Sequence, residues 1–225
     1  MAIVKKYPSK VVGIHSLIDG VYTLELESLS KPFKYEPGQF MHLALDDYDP
    51  AGQWPDSRCF SMQSSPDEEL IKITYAIKGH FTNRMQKELE PGKLVTLKLP
   101  YGDLFSQVHN KVNTVFIAGG TGITPFLSLF THESFKDYEN PKIYLGFKSR
   151  VYNIYKDELN SIKPCDLKIF YENEKGLIDI DNIFSENGTQ NDYFISGPPL
   201  MIKTFRYSLS AYGVPLKQIL TDDWE

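Results

Sequence analysis

The stretch Ile117-Ala118-Gly119-Gly120-Thr121-Gly122-Ile123-Thr124-Pro125 decides the fold of this chain. It continues the apolar run from Thr114 to Ala118, which is typical of a strand buried on both faces of a parallel sheet. Its glycines allow a tight turn and close approach to a phosphate, and a helix with Thr124 as N-cap and Pro125 as first residue would offer free N–H groups. We predict a phosphate-binding βα turn; a purely structural turn is the alternative, because Pro125 stands at the third glycine of the G-x-G-x-x-G pattern.

A second turn of the same kind, Ser196-Gly197-Pro198-Pro199, follows another apolar run. Ligands of parallel sheets bind outside the carboxyl ends of the strands, so the two turns would line one crevice, although a plain loop is the alternative at the second turn. Strands alternating with helical stretches predict a parallel sheet for this half of the chain. Its other predicted strands are Lys142 to Phe147, Leu167 to Tyr171, and one near Gln218 to Thr221.

The half before this region has short alternating runs that predict antiparallel strands in a barrel or sandwich. One helix is predicted from Thr82 to Leu89, with Thr82 as N-cap. The predicted strands are Val11 to Ile14, Tyr22 to Glu27, Phe40 to Leu45, Arg58 to Gln63, Ile71 to Ala76 and Leu94 to Leu99.

Composition narrows the classes of chemistry. The chain has 225 residues with 24 Lys and Arg against 29 Asp and Glu, and its formal charge of −5 argues against a general grip on nucleic acid. No run approaches about 18 apolar residues and the start resembles no secretory signal, so we expect a cytoplasmic protein with no membrane partner. Two cysteines, Cys59 and Cys165, exclude a disulfide framework and a four-cysteine metal site built from this chain alone. Redox chemistry would then need an organic cofactor.

Two motifs in the first half carry candidate binding groups. Arg58-Cys59-Phe60-Ser61 offers a guanidinium for phosphate, an aromatic face and a hydroxyl, and strand alternation places Arg58 and Phe60 on one side. Lys78-Gly79-His80-Phe81-Thr82 precedes the helix and is suited to hold a pyrophosphate at its N-terminus. An exposed Arg beside a core Phe, and an ordinary helix cap, are the structural alternatives.

Together, in this order, these motifs resemble the ferredoxin–NADP reductase superfamily of flavoproteins over nearly the whole chain. The resemblance implies an antiparallel six-stranded Greek-key flavin-binding barrel followed by a Rossmann-like α/β domain with a parallel sheet. We expect the FAD-binding barrel at residues 1–108 and the NAD(P)-binding domain at residues 109–225.

The resemblance also implies roles for residues. In the R-x-[Y/F]-[S/T] block, Arg58 would bind the flavin pyrophosphate, Phe60 would pack on the flavin and Ser61 would lie near its reactive nitrogen. The G-x-x-[S/T] block, Gly79 to Thr82, implies backbone and hydroxyl contacts to the pyrophosphate and favours FAD over FMN. The C-G-P-P block has Ser196 in place of the cysteine that lies beside the nicotinamide in many relatives. The expected cofactor-binding residues are Arg58, Cys59, Phe60, Ser61, Tyr75, Ile77, Gly79, Phe81, Thr82, Gly119, Gly120, Thr121, Gly122, Pro125, Lys148, Arg150, Gly197 and Pro198. The expected catalytic residues are Ser61, Ser196 and Trp224.

The implied activity is that of an NAD(P)H-dependent flavoprotein reductase. Hydride would pass from the nicotinamide to bound FAD, and electrons would pass to a separate protein, either a ferredoxin- or flavodoxin-like carrier or an oxygenase component. With only two cysteines, any iron–sulfur or haem centre is expected on another protein. We expect the chain to consist of the flavin domain and the nicotinamide domain alone. A reductase of free flavin and a non-catalytic FAD-binding electron-transfer or redox-sensing subunit are the alternatives. Trp224 would lie over the flavin, or belong to a frayed acidic tail.

The choice between NADH and NADPH depends on the residues that follow the second strand of the parallel sheet. The strand that ends near Phe147 is followed by Lys148 and Arg150 and by no acidic residue in that turn. An acid there is typical of NAD and an Arg of NADP, so the pattern favours NADPH, with an ordinary solvated basic turn as the alternative.

Overall fold

The computed structural model describes residues 3–162 and 165–222, and the chain divides into two compact units, Met1–Asp103 and Leu104–Glu225. The division falls a few residues before the boundary expected from the sequence. Within the described ranges, no helix is long and apolar enough to cross a membrane.

The first unit is a six-stranded antiparallel sheet that curls into a near-closed barrel around one apolar core, which confirms the predicted barrel. Its strands are β1 (Lys5–Ile18), β2 (Val21–Ser28), β3 (Phe40–Ala44), β4 (Ser57–Ser61), β5 (Ile71–Ala76) and β6 (Leu94–Tyr101). They lie in the order β4-β3-β6-β1-β2-β5. Alternation decides the buried face: Leu24 and Leu26 are fully buried, whereas Glu25 between them is not.

The helix of the barrel unit, α1, spans His80–Glu88 with Gly79 as its N-cap. The prediction of Thr82 as N-cap was therefore wrong. The Thr82 hydroxyl accepts hydrogen bonds from the Lys78 and Gly79 N–H groups at 2.9 and 3.1 Å and donates to the Gly79 carbonyl at 3.1 Å. Thr82 is the third residue of the helix, and its hydroxyl bonds back to backbone amides that precede the first helical residue. The helix therefore begins before Thr82.

The second unit is a five-stranded sheet in which every neighbouring pair is parallel, as the alternating pattern predicts. Its strands are β7 (Thr114–Gly119), β8 (Lys142–Phe147), β9 (Asp166–Tyr171), β10 (Asp192–Ser196) and β11 (Ile219–Thr221), in the order β11-β10-β7-β8-β9. The helices are α2 (Thr124–Phe130), α3 (Lys156–Ser161), α4 (Glu172–Lys175), α5 (Ile180–Asn187) and α6 (Pro199–Ala211). One apolar cluster covers each face of this sheet.

The glycine turn after β7 is itself helical. Residues Gly120–Ile123 form a 3₁₀ turn, and Ile123 is the N-cap of α2. The prediction of Thr124 as N-cap was therefore wrong: Thr124 is already helical, and its hydroxyl donates to the Thr121 carbonyl at 3.0 Å. Pro125 is the second residue of α2 and not, as was predicted, the first, although it still lies in the first turn, where a proline is tolerated. The local reason is that the chain enters α2 through a tight turn rather than from an extended N-cap.

Candidate functional site

The edge strand β4 presents Arg58 and Phe60 on the same face. In the antiparallel pair of β3 and β4, Arg58 lies opposite Leu43 and Phe60 opposite Met41, and both partners are fully buried. Because opposite residues share a face, Arg58 and Phe60 lie on the face of the sheet that carries Met41 and Leu43, although Arg58 itself is exposed. Phe60 packs against the barrel core, with its ring 6.1 Å from that of Tyr75 on β5, the other edge strand.

Arg58 is an uncompensated cation. Its side chain is exposed. Within residues 3–162 and 165–222 it forms neither an ion pair nor a side-chain hydrogen bond. A guanidinium with all its donors available can receive a phosphate through two parallel hydrogen bonds. Arg58 and the half-buried ring of Phe60 therefore present a phosphate donor and a stacking surface along one strand.

Tyr75 places a buried polar atom close to Phe60. Its hydroxyl has no hydrogen-bond partner in the described part of the chain, and burial, with a smaller effect of Tyr22, raises the pKa of this hydroxyl. A buried unpartnered hydroxyl is costly, and a bound polar group can satisfy it. Ile77, just beyond β5, is half-buried and packs against the same core.

The start of α1 offers backbone donors. The amides of His80, Phe81 and Thr82 have no acceptor within the helix, because an α-helix leaves its first N–H groups unpaired. A Cβ added at Gly79 would meet no atom within 4 Å, so this position is open. The Phe81 side chain is 4% exposed within the core, and the Thr82 hydroxyl proton is used within the turn. Both residues can therefore serve an anion through their amides rather than through their side chains.

Cys59 and Ser61 lie on the other face of β4. The Cys59 sulfur is 3.5 Å from Nε2 of His42, its opposite residue on β3. Burial raises the pKa of the Cys59 thiol, partly offset by the charge of Arg58, and burial together with the charge of Lys98 lowers the pKa of His42. Both shifts favour the neutral thiol and the neutral imidazole. Ser61 is buried at the end of β4.

In the second unit the two glycine turns lie side by side, because β7 and β10 pair in parallel and end together. A Cβ added at Gly122 would lie 2.5 Å from the Gly197 backbone, and one at Gly119 would lie 2.9 Å from the Met201 sulfur. These glycines are required for packing of the turns. Gly120 differs: its φ is +57°, and a Cβ there would meet nothing within 4 Å. Gly120 is therefore the glycine of the first turn that faces open space.

The remaining expected residues of these turns lie around the same edge of the sheet. Thr121 and Gly122 belong to the 3₁₀ turn, Pro125 is buried in the first turn of α2, and the exposed Pro198 is the N-cap of α6. Trp224 lies outside the described residues.

Ser196 has a partner that the sequence did not indicate. Its hydroxyl is buried and donates to the carboxylate of Asp222, with 3.1 Å between Oγ and Oδ2. Asp222 follows β11, the parallel neighbour of β10, and this adjacency was invisible in the sequence because the two residues are far apart along the chain.

The two cations after β8 have different surroundings. Lys148 enters no ion pair with any residue of the described ranges, and its Nζ lies 5.8 Å from the Tyr152 ring. Arg150 forms a bidentate pair with Glu174 of α4, with 2.7 Å from Nε to Oε1 and 2.9 Å from Nη2 to Oε2. Glu174 was missed by sequence reasoning, because it follows the next strand rather than β8.

Comparison with known proteins identifies the family. A family model described as an FAD-binding domain matches residues 6–145, more than half of the chain. This chain belongs to that family of FAD-binding domains. The match begins at the second residue of β1 and ends within β8, so it includes Arg58, Gly79 and the first glycine turn.

Two relatives of this FAD-binding chain are named as an electron transfer subunit and as a reductase component. The electron transfer subunit of dihydroorotate dehydrogenase B (NAD(+)) from Methanopyrus kandleri is 32% identical over 129 residues, 57% of this chain and 45% of that protein. The reductase component of propane 2-monooxygenase from Mycolicibacterium smegmatis is 25% identical over 213 residues, 85% of this chain and 60% of that protein. The chain thus spans about half the length of these curated relatives.

A solved structure shares the fold across both units. A ferredoxin NADP+ reductase from Neisseria gonorrhoeae, with bound FAD and NADP, superposes with a TM-score of 0.77 at 17% identity, and 99% of each chain is covered. The expected two-part fold, an antiparallel barrel followed by an α/β domain with a parallel sheet, is therefore confirmed.

The barrel residues fit an FAD molecule. Arg58 provides an uncompensated cation, α1 provides unpaired amides beside the open position at Gly79, and Tyr75 provides a buried hydroxyl without a partner. These groups match a dianionic pyrophosphate and a flat ring that carries polar atoms.

Proposed function

We propose that this chain is an FAD-containing reductase that takes hydride from NAD(P)H and passes electrons to an acceptor centre held outside these 225 residues. The observation that carries the proposal is that a chain of the FAD-binding family also contains a parallel sheet with two adjoining glycine turns at its carboxyl edge. Such an edge is where open α/β sheets bind dinucleotides. Bound flavin would accept two electrons as a hydride and pass them on to the acceptor.

In the barrel, the proposed tasks are binding and orientation. Arg58 would hold the pyrophosphate by a charge-assisted fork, and the amides at the start of α1 would bind its other oxygens. Phe60 would support the flavin ring, and Ser61 would supply a hydroxyl at the end of the same strand. Thr82 would act indirectly, by holding the turn that exposes these amides.

In the second unit, the glycine turns would receive the nicotinamide coenzyme. Gly120 leaves room for the pyrophosphate, while Gly122 and Gly197 let the two turns touch. Ser196, at the end of β10, would lie beside the nicotinamide with its proton directed to Asp222. No acid–base pair is needed for hydride transfer, and the proposed role of these residues is alignment and electrostatics.

The test begins with the absorbance spectrum of the purified protein. We expect a yellow protein with one FAD per chain, whose flavin absorbance bleaches on anaerobic mixing with NADH or NADPH in a stopped-flow instrument. A colourless protein that reduces added riboflavin would instead indicate a free-flavin reductase. Bound FAD that neither coenzyme reduces faster than over minutes would contradict the reductase function.

A second candidate is an electron-transfer subunit that receives its electrons from a partner enzyme. The Methanopyrus kandleri relative, named as such a subunit, favours it. In that case bound FAD would be reduced slowly by nicotinamides alone and quickly after addition of a partner dehydrogenase and its substrate.

We also propose a protein acceptor and a cytoplasmic location. The propane monooxygenase relative, named as a reductase component, supports an oxygenase component or a small redox carrier as acceptor. Two unbridged cysteines, Cys59 and Cys165, suit a reducing compartment. Reduction of ferredoxin, flavodoxin and cytochrome c by the FAD-loaded chain, compared side by side, would identify the class of acceptor.

A further inference from the structure

We propose that Glu174 sets the coenzyme preference of this chain towards NADH, by holding Arg150 and opposing the 2′-phosphate of NADPH. The inference rests on the proposed reductase function and concerns the adenosine end of the coenzyme. The prediction of NADPH from the sequence considered Lys148 and Arg150 alone, whereas in the fold Arg150 is paired with a carboxylate from another strand end.

The position follows from the sheet. β8 pairs in parallel with β7, and Gly146 lies opposite Gly119, so the loop after β8 begins beside the first glycine turn. In dinucleotide-binding sheets the group at this strand end contacts the adenosine ribose: an acid binds the 2′-hydroxyl of NAD, and an Arg accommodates the 2′-phosphate of NADP. The charges that surround Arg150 therefore decide which coenzyme this edge receives.

Three contacts hold α4 and the last residue of β9 against the loop after β8. The Arg150 guanidinium makes both hydrogen bonds to the Glu174 carboxylate, and it also lies 4.8 Å from the centre of the Tyr171 ring. The Asn173 N–H donates to the Lys148 carbonyl at 3.2 Å. β9 pairs in parallel with β8, with Tyr171 opposite Phe147, so the turn that carries Glu174 starts at the same edge of the sheet.

This arrangement disfavours a phosphate for two reasons. A 2′-phosphate would have to displace a bidentate carboxylate to reach the same guanidinium fork, because both anions use the same geometry. If it bound without displacement, it would lie close to the negative charge of Glu174 and be repelled. A neutral ribose hydroxyl meets neither obstacle and can donate a hydrogen bond to the Glu174 carboxylate.

The test compares Glu174→Gln with Glu172→Gln in the FAD-loaded full chain. Glu172 lies in the same exposed turn and makes no ion pair in the part of the chain that the structure describes, so its variant removes an equal charge without releasing Arg150. We expect Glu174→Gln to raise the ratio of kcat/KM for NADPH to that for NADH about tenfold, which corresponds to one guanidinium made available to phosphate. Glu172→Gln should change the ratio less than about twofold.

A binding measurement separates this inference from the reductase function. Isothermal titration with adenosine 2′,5′-bisphosphate and with 5′-AMP should show that Glu174→Gln binds the bisphosphate about tenfold more tightly than the wild type and binds 5′-AMP about equally well. Adding Arg150→Gln to Glu174→Gln should remove the gain, because the released guanidinium is then absent.

The outcomes are distinguishable. If neither coenzyme reduces the flavin but the titration behaves as described, the reductase function fails and the role of Glu174 stands. If the wild type uses NADPH better than NADH, or if Glu174→Gln and Glu172→Gln give the same ratio and the same bisphosphate affinity, the inference about Glu174 is wrong.

Discussion

The Ser196 hydroxyl donates a hydrogen bond to the Asp222 carboxylate, with 3.1 Å between Oγ and Oδ2. The pair is fixed from both sides, because β10 and β11 run in parallel and the Asp222 N–H donates to the Ile195 carbonyl at 3.0 Å. Ser196 is 1% exposed, so the carboxylate accepts from a hydroxyl with little access to water. A negative charge is therefore held at the carboxyl edge of the sheet, where the nicotinamide is proposed to bind.

Replacing Asp222 with Asn should slow flavin reduction. A nicotinamide acquires positive charge as it gives up hydride, and a nearby carboxylate stabilises that charge in the transition state. Asn keeps an acceptor for Ser196 but removes the charge, so we expect the rate constant to fall about tenfold, or about 1.4 kcal/mol of barrier. Anaerobic stopped-flow bleaching of the bound flavin at saturating coenzyme measures this step.

Ser196→Ala is the matched control, since it removes the hydroxyl and keeps the charge. It should slow the same step less than Asp222→Asn does. An Asp222→Asn protein that bleaches as fast as the wild type would show that the carboxylate does not act on the nicotinamide.

Arg58→Ala should weaken FAD binding by about 1.5–3 kcal/mol, because a charge-assisted contact to the pyrophosphate is lost. Arg58 pairs with no residue across the described ranges, so the unfolding temperature of the apoprotein should hardly change. Equilibrium titration of apoprotein with FAD gives the affinity. Arg58→Lys keeps the charge but not the two parallel donors of the guanidinium, so its affinity for FAD should lie between those of the wild type and Arg58→Ala. An unchanged affinity in Arg58→Ala would refute the assigned role.

Gly79→Ala should separate FAD binding from folding. A Cβ at Gly79 meets no protein atom within 4 Å, and the φ of −165° is extended backbone that alanine also adopts. We expect less than about 1 kcal/mol loss of apoprotein stability, because Ala is a poorer N-cap than Gly. FAD should bind about tenfold more weakly, since the methyl group projects where the pyrophosphate approaches the α1 amides. Wild-type affinity for FAD would place the pyrophosphate elsewhere.

Gly120 and Gly122 of the first turn should respond differently to substitution. Gly120→Val should raise the KM for the nicotinamide coenzyme and leave FAD bound, with about 1–2 kcal/mol lost to the left-handed conformation at φ +57°. Gly122→Ala should cost more stability, about 1–3 kcal/mol or above, because its Cβ would lie 2.5 Å from the Gly197 backbone. Thermal unfolding and steady-state kinetics of both variants test this; a normal KM in Gly120→Val would mean that the turn does not touch the coenzyme.

Much of the fold could be predicted because its signals are local. The strand at Lys142–Phe147 has the predicted bounds, since a continuous apolar run between turns is informative by itself. The two N-cap predictions, Thr82 and Thr124, were wrong because the hydroxyl of a threonine can also act from inside the first turn. Local sequence indicates that a helix begins nearby but leaves open which backbone amides the hydroxyl meets.

The amino-acid sequence by itself determined the two kinds of sheet, the order of the binding blocks and the family, because periodicity, glycine turns and motif spacing are properties of neighbouring residues. Only the tertiary structure decided which charges are available. Arg58 and Arg150 were both expected to bind phosphate, yet Arg58 has no ion-pair partner in the described ranges whereas Glu174, 24 residues away, holds Arg150. The same holds for Ser196 and Asp222, 26 residues apart. The physical reason is that charge pairing depends on distances across the sheet, and strand order and packing set those distances.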